Sequence, residues 1–289
     1  MEWQDNGQSQ DIEDRRGDSG GGFNMGGSGL GIGAFLIVAV ISLVTGHNFL
    51  PLLFHGGGDG QPAVTTSAPP TDSSPAEQRD VQLISYTLDD AQKTWQQTFT
   101  ASNREYRHAK LVLFRGQTYS GCGTAQATTG PFYCPVDEKI YIDLDFWDEL
   151  TQLGGSTSDF AKSYVITHEL GHHIQNLLGI EQHEQQLVED NPSEQSPASV
   201  ALELQADCFA GVWGHDTEQR SKITQEDIAQ ALKSAAAVGD DHIQQTSGRA
   251  ISPESWTHGS SAQREHWFTT GLQTGQASAC TTFNGRLSP

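Results

Sequence analysis

The sequence predicts an α+β domain in which helices dominate and a small sheet comes first, preceded by one transmembrane helix. Three observations carry this expectation. Two β-rich stretches, AKLVLF (109–114) and KIYIDLDFW (139–147), come before four segments of helical apolar period at 159–178, 196–214, 224–238 and 261–272. Strands followed by helices, rather than alternating with them, is the order of an α+β layout. An uncharged, mostly apolar run of 25 residues (30–54) is long enough to cross a hydrocarbon core. Between that run and about residue 80 the chain is Gly, Ser, Thr and Pro with little apolar content, a tether without a core of its own. The domain boundaries expected are therefore 1–29 for a polar tail, 30–54 for the anchor, 55–80 for the linker and 81–289 for the folded domain.

The elements justify themselves in order. The tail is polar, Gly-rich and acidic, unlike the short basic start of a cleaved signal peptide, so the apolar run reads as a retained single-pass anchor. Arg15 and Arg16 are the only Lys or Arg before Arg79, and the positive-inside rule then places the N-terminus in the cytoplasm and the domain outside. The glycines of GDSGGGFNMGGSG follow no strand and make no phosphate-cradling loop. SYTLDDAQKTWQQTFTAS (85–102) predicts a helix capped near Thr87. KIYIDL, just upstream of the next helix, is expected as an exposed edge that could hold an extended peptide by strand addition. The segment 159–178 starts at Asp159 as N-cap and stops at Gly179, and the polar run GIEQHEQQLVEDNPSEQSP after it reads as a solvated loop. Ser260 with Gln263 predicts a capping box at the start of the last helix.

The first long helix after the strands contains HELGHH (168–173). With 11 His in 289 residues, chance would supply H-E-x-x-H about 0.02 times in such a chain. On a helix His168 and His172 fall within about 40° of each other, while Ile166, Leu170, Ile174 and Leu177 gather on the opposite side. One face packs and the other can hold metal. Glu169 lies between them, where it could reach a water without ligating the ion. His173 is required by nothing in the spacing and reads as packing or solvent-facing. A catalytic zinc takes three protein ligands. The metzincin solution needs Gly at 175 and His at 178, where the chain has Gln175 and Leu178. A Glu on a later helix is the other common solution, and ELQADCFAGVW (203–213) offers Glu203, with Asp207 four residues on to accept the free ring N–H of His168. Glu181, His183 and Glu184 are rival ligands on the polar run.

Four cysteines follow the anchor, and an even number in an exported domain suggests two disulfides. Of the three pairings, Cys122 with Cys134 would close a short Gly-rich loop, and Cys208 with Cys280 would tie the C-terminal segment to the Glu203 helix; the alternative for Cys208 is a thiolate ligand. The formal net charge is −20 with no basic cluster, which argues against nucleic acid as a partner. Solubility or a saline habitat explains the acidity better than a cationic substrate.

CGTAQATTGPFYCPVDEKIYIDLDFW, HELGHHIQNLLG, ELQADCFAGVW and ISPESWTHGSSAQREHWF, with DIEDRRG near the start, together resemble the neutral zinc metallopeptidase family of bacterial membrane-anchored proteins. The resemblance implies a zincin-like fold, one zinc ion on His168, His172 and Glu203, and a catalytic Glu169 acting on a peptide or protein substrate. Zinc-polarised water would be deprotonated by Glu169. An oxyanion donor is also needed; His258 in WTHGSS, Tyr141, Tyr164, Arg249 and Arg264 are candidates between which the sequence does not choose. The alternative is a non-catalytic extracytoplasmic binding or assembly protein on the same zinc-stabilised scaffold, from which the intact Glu169 separates the enzyme reading.

Overall fold

The first long helix, α1 (Pro75–Ala101), starts well before Thr87 because Ser74 caps it and Pro75 takes a first-turn position where no N–H is needed. Its apolar residues Ile84, Leu88, Ala91, Trp95 and Phe99 recur at three- and four-residue steps and are all buried. Thr87, expected as a cap, sits mid-helix, its hydroxyl 2.8 Å from that of Ser163. Residues 75–80, expected in the linker, are thus helical. This computed structural model describes residues 1–18, 73–126 and 129–283. The expected anchor, 30–54, lies outside them, and among the described residues no helix is long and apolar enough to cross a membrane.

The main sheet has the order β1 (Ile12–Asp14), β2 (Lys110–Phe114), β6 (Lys139–Asp143), β5 (Phe132–Cys134); the first three are parallel and β5 is antiparallel to β6. β2 and β6 carry apolar residues continuously rather than alternately, as strands covered on both faces do. Leu111, Leu113, Ile140 and Ile142 face the helical core, while Val112, Phe114 and Tyr141 pack under the hairpin of β3 (Gln117–Ser120) and β4 (Gly123–Gln126). The Cys122–Cys134 disulfide fastens that hairpin to β5. KIYIDL is therefore not an edge: β6 is paired on both sides, because the three residues of β5, too few to signal a strand, cover it. The strand expected to run to residue 147 ends at Asp143, whose carboxylate accepts from the backbone N–H of Asp145 and Gly116 and turns the chain into α2 (Phe146–Gln152).

Residues 1–18 are part of the folded body rather than a separate tail. Besides the β1–β2 ladder, Trp3 donates its indole N–H to Asp159 at 2.8 Å, Gln92 donates to Asp11 at 2.9 Å, and Lys139 pairs with Glu13 at 2.6 Å. Arg16 forks onto Asp14 and also reaches Glu77 at 2.8 Å, with its side chain only 3% exposed. Arg15 pairs with Glu13. The two charges used to orient the chain in a membrane are thus both paired within the body itself.

The helices follow almost as read. α3 (Asp159–Leu178) is capped by Ser158, one residue earlier than expected, and ends at Gly179 in the left-handed conformation. The solvated loop after it is a helix, α4 (Ile180–Asp190), held by Ile180, which packs with Ala201 and Phe283. Then come α5 (Gln195–Gln219), α6 (Gln225–Ala237), α7 (Asp240–Thr246), which the sequence did not signal, and α8 (Ser261–Thr274) with the expected Ser260–Gln263 capping box. Two close approaches set the helix spacing. A Cβ on Gly171 of α3 would meet the Ala206 Cα of α5 at 2.9 Å, and one on Gly271 of α8 would meet the Cys208 carbonyl oxygen at 1.9 Å. Cys208 and Cys280 are joined, as expected, tying the C-terminal segment to α5, which removes Cys208 as a thiolate ligand.

Candidate metal centre

α3 and α5 lie side by side at Gly171 and Ala206, and this contact brings His168 and His172 to Glu203. His168 Nε2 lies 3.2 Å from Glu203 Oε2, and His172 Nε2 lies 3.5 Å from Glu203 Oε1. Zinc bonds of roughly 2.0–2.2 Å in tetrahedral geometry put neighbouring ligand atoms about 3.3 Å apart, so the donors present fit that ion in chemistry and spacing. Among the described residues, these three are the only His, Cys, Asp or Glu side chains that converge in this way. The rival ligands Glu181, His183 and Glu184 stand apart on α4. Burial, with the like charge of Glu184 added, pushes the Glu181 carboxyl up to about 8.

Asp207 stands where the helical spacing put it. Its Oδ1 is 2.8 Å from His168 Nδ1 and accepts from Tyr164 Oη at 2.5 Å. Arg264 of α8 donates from Nε to Oδ2 at 2.8 Å and from Nη2 to Oδ1 at 2.9 Å. Asp207 is wholly buried and Arg264 nearly so. Burial opposes ionisation of Asp207, and the guanidinium overrides it and holds the carboxyl below its ordinary range. With no metal bound, burial also opposes a charge on His168, but Asp207 raises its imidazole to about 10. The sequence did not expose Tyr164 and Arg264 in this role: they lie 43 and 57 residues from Asp207 and carry no motif of their own.

Glu169 is 8% exposed, and its carboxylate accepts no hydrogen bond from the described residues. Its pKa is raised by burial, against the pull of His168 and His172, a combination suited to a group that exchanges protons. His172 turns its Nδ1 to Gln175 Oε1 at 2.8 Å. His173 is fully buried and structural: its ring bridges the Tyr133 hydroxyl at 3.0 Å and the Arg107 carbonyl at 2.7 Å. His258 sits on a loop organised by Asp240, whose Oδ2 accepts from the backbone N–H of Thr257, His258 and Gly259. Burial lowers the His258 pKa, and the nearby carboxylates of Glu203 and Asp240 outweigh it and raise it overall. Tyr141 is committed to Asp137 under the hairpin, and Arg249 lies exposed beyond α7.

Comparison with known proteins agrees with this geometry. The family model described as "Putative neutral zinc metallopeptidase" matches residues 1–283. YpfJ of Escherichia coli strain K12 is 43% identical over 288 residues, covering 98% of this chain and 99% of its own. Rv2575 of Mycobacterium tuberculosis strain H37Rv is 47% identical over 190 residues, 62% of this chain and 64% of its own. Both relatives are uncharacterized, and no solved structure matches the chain. The converged His168, His172 and Glu203, and a family match reaching from the N-terminal strand to the C-terminal disulfide, lead to one statement: the chain belongs to the neutral zinc metallopeptidase family.

Proposed function

We propose that this protein hydrolyses peptide bonds in a peptide or protein substrate, with one zinc ion per chain held by His168, His172 and Glu203, at the outer face of a bacterial membrane. The observation that carries the reading is the convergence of His168 and His172 on Glu203, whose oxygens lie 3.2 and 3.5 Å from the two ring nitrogens, next to Glu169, a buried carboxylate that accepts no hydrogen bond from the described residues. When bound, zinc supplies Lewis acidity to a carbonyl oxygen and to water. Glu169 takes the proton of the attacking water and returns it to the leaving amine. Asp207 accepts the Nδ1–H of His168 and leaves Nε2 free as a donor atom. Of the candidates for stabilising the developing oxyanion, Tyr164 and Arg264 are committed to Asp207, and Tyr141 and Arg249 lie elsewhere. His258, on the Asp240-braced loop, is the candidate that remains.

Two disulfides support an oxidising compartment, and the uncharged run 30–54 supports attachment to the membrane. The β1–β2 ladder supports a revised topology in which residues 1–18 share the domain's side. The test of the reaction is Glu169→Gln beside Glu203→Ala in the full chain. The first keeps its zinc and loses about 10²–10⁴-fold in kcat on a peptide substrate, while the second loses zinc. Cleavage by Glu169→Gln at the parent rate, or stoichiometric zinc in Glu203→Ala, would overturn the assignment.

A further inference from the structure

The two histidine ligands are braced by different chemistry. His168 leans on a carboxylate, whereas His172 leans on a chain of neutral amides that runs away from the site. His172 Nδ1 is 2.8 Å from Gln175 Oε1; Gln175 Nε2 donates to the Leu202 carbonyl at 2.7 Å and to Gln205 Oε1 at 3.1 Å; Gln205 Nε2 donates to the Cys280 carbonyl at 2.9 Å. Both glutamines are completely buried. Cys280 is the residue whose disulfide joins the C-terminal segment to α5, at Cys208, three residues beyond Gln205.

The direction of this chain is not free. Backbone carbonyl oxygens only accept, so the amide atom facing Cys280 must be the nitrogen of Gln205, and its oxygen must face Gln175. The atom of Gln175 that meets both Leu202 and Gln205 must then be nitrogen, spending both of its N–H groups there. That leaves the Gln175 oxygen towards His172. Two acceptors cannot share a 2.8 Å contact in a dry interior, so the hydrogen of the neutral imidazole sits on Nδ1 and the lone pair is on Nε2, the atom 3.5 Å from Glu203 Oε1.

We propose that Gln175 and Gln205 are positioning residues that set the ring tautomer of His172 from the disulfide-held C-terminal segment, so that zinc retention at the centre depends on the Cys208–Cys280 link. This rests on the zinc reading given above. It also assigns a task to Gln175, the residue that stands where a metzincin has glycine.

The test uses the full chain with 15N-labelled histidine, freed of metal, and two readouts. Long-range proton–nitrogen spectra report the His172 tautomer without any metal, and competition with a chromophoric chelator reports zinc affinity. In the parent His172 is in the Nδ1–H form. Gln175→Met, similar in length but without an acceptor, mixes the tautomers and weakens zinc binding by about 10–100-fold at unchanged stoichiometry. Gln175→Glu keeps an oxygen for Nδ1–H and so keeps that tautomer, although its second oxygen, set against the Leu202 carbonyl, destabilises the fold. Cys208→Ala/Cys280→Ala, compared at a temperature where near-ultraviolet dichroism shows it folded, moves affinity in the same direction by a smaller factor. Parent-like tautomer and affinity in Gln175→Met would overturn the proposal, as would unchanged affinity in the folded double variant. If the parent itself bound no zinc, the zinc reading would fall, while the metal-free tautomer measurement would still decide the relay.

Discussion

Replacing Arg264 with Met tests the electrostatic design of the site. The side chain is 4% exposed and that of Asp207 is 0% exposed, so the substitution leaves a carboxylate in the interior with only Tyr164 and the His168 ring as partners. Two charge-assisted hydrogen bonds, at 2.8 and 2.9 Å, are lost together. Removing one partner of a buried ion pair costs about 3–5 kcal/mol, mostly the penalty of the orphaned charge. At roughly 2–4 °C per kcal/mol for a folded body of this size, melting of the metal-free protein should fall by about 6–20 °C. Zinc on His168 would put a larger positive charge near Asp207 than the imidazolium proton that it displaces. Added zinc should therefore raise the melting temperature of Arg264→Met by more than it raises that of the parent. Arg264→Met/Asp207→Leu, which removes both charges, should recover a large part of the loss. Differential scanning calorimetry of the metal-free and zinc-loaded proteins reads all three effects. A single variant melting within about 2 °C of the parent, or gaining no more from zinc than the parent does, would refute the argument that Arg264 compensates Asp207.

Gly171→Ala places a methyl 2.9 Å from the Ala206 Cα and 3.0 Å from its carbonyl oxygen, so α3 and α5 must separate; destabilisation of about 1–3 kcal/mol and weaker zinc binding should be measured together by denaturation and chelator competition. Docking of residues 1–18 should be lost in acid. Burial opposes the charges of Asp11 and Glu13, but Lys110 with His108, and Lys139 with Arg15, outweigh it and hold both carboxyls below 3.8 and 4.5 respectively. A depressed folded pKa contributes stability above the unfolded value and loses it as pH falls through the folded one, so hydrogen exchange at residues 12–14 should be protected at neutral pH and unprotected once pH has fallen below the ordinary carboxylate range, with persistence of that protection counting against the ion pairs. For sidedness, a cysteine introduced at Gln8 should react with a membrane-impermeant maleimide in intact cells, in parallel with one introduced at Val136 on the exposed domain surface; reaction at 136 alone would place the N-terminus across the membrane.

The parts of the site legible in the sequence are those whose geometry is local. His168 and His172 share a face because four residues make nearly one helical turn, and Glu203 and Asp207 do so for the same reason, so two of the site's walls followed from spacing alone. The α3 boundaries were equally local, set by a Ser158 cap and a left-handed Gly179. Tertiary structure alone decided the rest. Glu203 lies in a stretch rich in Ala and Leu, whereas Glu181 and Glu184 lie on a polar run, but only the Gly171–Ala206 contact brings Glu203 to the histidines. The α4 segment EQHEQQLVED is too polar to be recognised as packed, and becomes so through Ile180 against Ala201 and Phe283. β1 is three residues, Ile-Glu-Asp, with no apolar run to betray it; it is a strand because the unpaired edge of β2 satisfies its backbone and Lys139 and Lys110 neutralise the acids around it. The bracing roles of Arg264, Tyr164, Gln175 and Gln205 are not legible because a hydrogen-bond partner many residues away leaves no period in a sequence. Periodicity records which face of a segment is covered, whereas the identity of the covering group is fixed only when the helices pack.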